Sequence, residues 1–151
     1  MPYVPFFHYL PAIAKLETRV LTLPSSKNKF GLPMGEYAFL EFFCDECDCR
    51  RVFFNVIKSG ISEPVAVISW GWETEKFYIN WFGRNDKVAV KEMMGSRLNL
   101  WSKQSAIADS VLELFNSELL NNESYTLRVK KHYNLFRNVL KRMNEGNHKR
   151  M

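Results

Sequence analysis

The sequence predicts an α+β domain: an antiparallel sheet of three to four strands with C-terminal helices packed against it. Three observations carry that expectation. Aromatic-rich segments of period two fill the first half, and apolar stripes of helical period fill the second. Between the two strongest strand segments there is room only for a short connection, which favours an antiparallel hairpin. A chain of 151 residues can bury a core without staples, and no internal repeat or low-complexity tract divides it, so residues 1–151 are read as one domain.

The opening stretch, Met1 to Pro11, holds three prolines and is too broken for a long helix; Ala12 to Leu16 can make one short turn. Glu17 to Leu23 alternates weakly as a strand until Pro24, and Ser25 to Gly35 reads as a loop. Tyr37 to Phe43 places Tyr37, Phe39, Glu41 and Phe43 on one face and Ala38, Leu40 and Phe42 on the other. Val52 to Ile57 alternates likewise, and Val65 to Trp72 supplies a third strand. The period then changes. Thr74 caps a short helix that Gly83 ends, and Asp86 caps a second that Gly95 closes. Leu98, Leu100 and Trp101 are expected in a loop pinned by buried side chains. Ser105 opens a third helix through Leu119. The longest runs from about Glu123 to Asn144, with Tyr125, Val129, His132, Tyr133, Phe136, Leu140 and Met143 along one stripe and a frayed basic tail, 144–151, beyond it.

Composition excludes some classes of function. With 46% hydrophobic, 15% aromatic and 25% charged residues the chain has the make-up of a soluble globular protein. No apolar run approaches the ~20 residues of a membrane span, and the N-terminus lacks a basic secretory n-region, so a cytoplasmic protein without a membrane partner is expected. The net charge of +5 is uneven: from Glu123 onward eight Lys and Arg face two Glu, a balance of +6, and the rest of the chain carries −1. Arg128, Lys131, Lys141 and Arg142 are therefore the candidate contacts for nucleic-acid phosphates; the competing reading is a solvated helix face.

All three cysteines lie within Cys44-Asp45-Glu46-Cys47-Asp48-Cys49. A turn can aim several thiols at one centre, and structural zinc takes four ligands from Cys and His. Cys44, Cys47 and Cys49 are candidate zinc ligands, with His132 the first candidate for a fourth and His8 the second. Two other readings stay open. The hairpin can bury reduced thiols as small hydrophobes, or one thiol can serve as a nucleophile, although Asp45, Glu46 and Asp48 disfavour a thiolate while Arg50 and Arg51 favour it. His132 can equally be a core histidine with hydrogen-bonded ring nitrogens. The aromatics Trp70, Trp72, Phe77, Tyr78, Trp81 and Phe82 read as core ahead of a stacking surface or pocket. Glu36, Glu41 and Glu73 read as solvated carboxylates. No Ser/His/Asp set, phosphate loop or HExxH spacing occurs.

Several runs resemble a family of small uncharacterised prokaryotic proteins that share a Cys-Asp-Cys-Arg-Arg hairpin. They are Glu17-Thr18-Arg19, Gly35-Glu36-Tyr37 with Phe39-Leu40-Glu41, Cys47-Asp48-Cys49-Arg50-Arg51-Val52, Ser69-Trp70-Gly71-Trp72-Glu73, and His132-Tyr133 with Leu135-Phe136. The resemblance implies an intact soluble domain and no particular reaction. The family's pattern has a longer, proline-containing spacer after its first cysteine, which sets Cys47 and Cys49 ahead of Cys44 as ligands. The function expected is a non-enzymatic small binding domain with a candidate structural zinc site and an unidentified protein partner. The alternatives are a nucleic-acid binder and a thiol- or pocket-based enzyme.

Overall fold

The computed structural model describes residues 3–149. The chain begins with β1 (Tyr3–Pro5), a single helical turn α1 (Phe6–Tyr9) and α2 (Pro11–Glu17). It continues through β2 (Arg19–Leu23), β3 (Gly35–Cys44), β4 (Arg51–Lys58) and β5 (Ala66–Gly71). Two short helices follow, α3 (Glu75–Phe82) and α4 (Lys87–Met93), and then β6 (Gly95–Leu98). Helix α5 (Ala108–Leu114) runs into a π-helical segment (Phe115–Leu120), and α6 (Glu123–Lys149) closes the chain.

The class is α+β as expected, but the sheet has six strands, not three or four. Strands β3 to β6 form an antiparallel meander, and β1 and β2 share the free edge of β3. The ten residues of β3 make that sharing feasible: β2 pairs with Gly35 to Phe39 and β1 with Phe42 to Cys44. Strand β2 falls within the weak strand expected over Glu17 to Leu23, whereas β1 is too short and weakly patterned to be foreseen, so only its long-range partner selects it. Strand β6 occupies the place of an expected pinned loop. Gly95, at φ +64°, sits just after α4 and opens the strand. Leu100 and Trp101, expected to be buried, are 67% and 91% exposed.

Alternation along the strands decides which face receives the helices. Tyr37, Phe39, Glu41 and Phe43 share the inner face with Val52, Phe54 and Val56 of β4 and with Ala66, Ile68 and Trp70 of β5. Against them pack Val111, Leu114, Phe115 and Leu119, then Tyr125, Val129, Tyr133 and Phe136 of α6. Each fully buried large side chain of this kind contributes about 1.5–3 kcal/mol. Asn122 caps α6 by accepting the Tyr125 N–H at 3.1 Å, and the helix runs on to Lys149, past the expected end at Asn144. Met143, placed on its apolar stripe, is 46% exposed because the helix has by then outrun the sheet.

Helices α3 and α4 are capped as predicted: Thr74 Oγ1 accepts the Phe77 N–H and Asp86 Oδ1 the Ala89 N–H. They bury Tyr78, Val90 and Met93 as a second small core. This pair approaches β5 at Gly71, where an added Cβ would stand 1.9 Å from the Met93 carbonyl oxygen and 2.7 Å from the Tyr78 hydroxyl. Any side chain at residue 71 would push the pair off the sheet.

Candidate metal centre

The cysteine cluster sits where β3 ends and β4 begins. One Sγ from each of Cys44, Cys47 and Cys49 lies within 4.8 Å of the other two. Cys44 and Cys49 are buried and Cys47 is half-buried, with no disulfide among them. The Cys44 and Cys47 sulfurs are 2.8 Å apart. Thiolates on one tetrahedral zinc at about 2.3 Å stand roughly 3.8 Å from each other, so that pair must open by about 1 Å around an ion.

The electrostatics of the turn favour neutral thiols until a cation arrives. Burial pushes the Cys47 thiol well up, reinforced by its sulfur neighbours, and burial also raises Cys49 despite the nearby Arg51 guanidinium. Thiols raised in this way are poor nucleophiles at neutral pH. Asp45 Oδ1, in the same turn, is buried without a hydrogen-bond donor. An unpartnered buried carboxylate oxygen is costly, and a cation would relieve it. Three soft sulfur donors this close together could hold a metal ion; the Asp45 oxygen lies in the same turn but outside that group.

The loop is held from outside by side chains of α3 and α6. Arg50 has φ +51°, the only positive φ at a non-glycine among the described residues. For an L residue that region costs on the order of 1–2 kcal/mol. Its amide donates to the Tyr133 hydroxyl at 3.1 Å, and its carbonyl accepts from Tyr78 Oη at 2.9 Å and from the Trp72 N–H at 3.4 Å. Tyr133 also donates to the Asp48 carboxylate, and Arg137 Nη1 donates to the Cys47 carbonyl at 2.8 Å. Burial and the hydrogen bond it donates to Asp48 hold Tyr133 neutral, against the Arg50 amide; burial pushes Tyr78 up to about 12. No sequence signal marks Arg50 for the left-handed region. Tyr133 was visible only as one member of an apolar stripe.

The structure does not bring His132 to the cysteines. It is fully buried and stacked on Phe6 with ring centroids 4.4 Å apart. Its Nδ1 meets Glu41 Oε1 at 2.7 Å and its Nε2 meets Glu17 Oε1 at 2.9 Å, so both ring nitrogens are taken. His8 is exposed on α1. Of the two open readings of His132, the geometry matches the core histidine. Glu41, expected in solvent, is 5% exposed because alternation in β3 turns it inward. Burial lowers and the two carboxylates raise the His132 pKa, with a net rise that favours the imidazolium. Glu17 is correspondingly lowered by its bond to His132, while burial outweighs that bond at Glu41 and raises it.

Of the four basic candidates, Arg128, Lys131 and Arg142 fall within about 60° of one another around the helix. Arg128 and Lys131 help lower the Glu17 carboxyl, and Lys141, off that stripe, lines a groove with Asp45 and Glu46. A further cleft of about 390 Å³ lies beside the hairpin, walled by Asp48 and Arg50, by Trp72 and Glu73, and by α6. Among the described residues no helix is long and apolar enough to cross a membrane. Comparison of the chain with protein-family models, with curated proteins and with solved structures finds no match.

Proposed function

We propose that the protein is a non-enzymatic binding domain whose cysteine hairpin holds a structural zinc ion. The observation that carries this reading is the convergence of Cys44, Cys47 and Cys49 within 4.8 Å in one turn. With His132 engaged elsewhere the fourth ligand must come from outside the thiol group, and Asp45, in the same turn with a buried unpartnered oxygen, is the candidate for it. The raised thiols at Cys47 and Cys49 support a binding role over a nucleophilic one, since only a bound cation would draw their protons off. An ion here would tie the end of β3 to the start of β4 and so fix the loop that meets α6.

Metal analysis of the purified protein under reducing conditions tests the proposal, paired with thiol titration before and after a chelator. The expected result is one equivalent of zinc and thiols that become reactive only on chelation. Absence of stoichiometric metal together with three freely titrating thiols would end the zinc reading.

A further inference from the structure

The cleft beside the hairpin has no part in holding a metal, yet it gathers chemistry from three separated parts of the chain. Its volume of about 390 Å³ is in the size range of small-molecule sites. One wall is a stripe of α6: Lys130, Tyr133, Asn134 and Arg137 follow the i, i+3, i+4, i+7 spacing of one helix face. The other is Asp48 and Arg50 from the hairpin and Trp72 and Glu73 from the end of β5.

The charges on these walls are not equally engaged. Arg50 pairs with Glu73 at 3.3 Å and with Asp48 at 3.6 Å, and Asp48 also accepts from Tyr133. Both carboxylates are therefore occupied by the protein itself. On the helix wall, Lys130 and Arg137 make no ion pair among the described residues. Arg137 uses one N–H on the Cys47 carbonyl, and a guanidinium has five. The surplus in the cleft is thus positive and lies on α6, with the Asn134 amide between the two cations. Arg50, held in the left-handed region by contacts from α3, α6 and Trp72, sets the facing wall. Strained residues held by several elements gather at ligand sites.

We propose that this cleft is a binding site for a small oxyanion-bearing molecule, whose phosphate or carboxylate group lies against Lys130, Asn134 and Arg137. The cleft's concavity favours a small ligand over a polymer backbone, and its helix wall offers two cations, Lys130 and Arg137. The inference does not depend on the metal, and either can fail alone.

The test is a titration of the full chain followed by amide and indole NMR, with inorganic phosphate in one arm and acetate in the other at constant ionic strength. Saturable shifts at Trp72 and at residues 130–137 are expected. Lys130→Ala should weaken binding roughly tenfold, the loss of one charge-assisted contact, while Lys131→Ala leaves it unchanged. Saturation by phosphate alone assigns the ligand's anion as a phosphoryl group, and saturation by acetate as a carboxylate. Lack of saturation in both arms overturns the site, as does an equal response of the Lys130→Ala and Lys131→Ala proteins.

Discussion

Successive residues of α6, His132 and Tyr133, serve two polar regions built on opposite terms. His132 joins Glu41 and Glu17 in a buried cluster where both ring nitrogens have partners at 2.7 and 2.9 Å. Tyr133 reaches the hairpin, where Asp45 Oδ1 has no donor, two thiols are held neutral by burial, and Arg50 sits in a strained backbone region. In the first region both ring nitrogens of His132 are satisfied without anything added. The second carries costs inside the chain that a bound ion or ligand would offset. A satisfied buried polar cluster reads as architecture, and an unsatisfied one beside a cleft reads as a site.

The contrast can be broken at its closed end first. His132→Ala leaves Glu41 buried without its partner and should cost about 3–5 kcal/mol in urea denaturation. Replacing Glu41 and His132 together by Leu should recover most of that loss; a double variant no better than the single would mean the cluster does more than satisfy itself.

At the open end, zinc at a hundredfold excess over its Kd should stabilise the folded chain by about 2.7 kcal/mol. The expected thermal shift should vanish in Cys49→Ser, and an identical shift in that variant would place the ion elsewhere.

A smaller effect separates the two regions by pH. His132 is raised above its ordinary 6.5, so its stabilisation is full below that value and fades as pH climbs through the raised one. Glu17, lowered from 4.5, adds stability that is lost as pH falls through its depressed value. Glu41, raised by burial, works in the opposite sense, opposing folding above 4.5. Denaturation midpoints followed across the neutral range, below the pH at which free thiols ionise, should therefore fall, and that fall should be absent in His132→Gln.

The smallest expected effect concerns Arg50. At φ +51° glycine carries no Cβ penalty, so Arg50→Gly should be more stable than Arg50→Ala by roughly 1 kcal/mol, the reverse of the usual order. Equal stability of the two variants would show that the loop relaxes and that the strain is not held by Tyr133 and Tyr78.

Most of the elements were legible because local chemistry specifies them. Thr74 and Asp86 cap α3 and α4, and the alternation of Tyr37 to Phe43 and of Val52 to Ile57 marks β3 and β4. The nearness of the thiols followed from their spacing. Strands β1 and β6 were not legible: Tyr3–Pro5 ends on a proline and Gly95–Leu98 begins with a glycine, so pairing with Cys44 to Phe42 and with Gly71 to Ile68 makes them strands. The partner of His132 was equally hidden, because Glu41 and Glu17 lie 91 and 115 residues away in sequence.

By itself the sequence determined the α+β class, the alternation of β3, the helix caps and the grouping of the three cysteines. Each depends on residues a few positions apart, where period and spacing act directly. Tertiary structure alone decided that His132 belongs to two carboxylates and not to the thiols. It also decided that Tyr133 and Tyr78 clamp Arg50, and that the α6 face from Lys130 to Arg137 closes a cleft with Trp72 and Glu73. Those outcomes depend on which side of α6 meets which edge of the sheet. That docking is set by the summed packing of Phe115, Val129 and Phe136 on the inner face, which no single segment encodes.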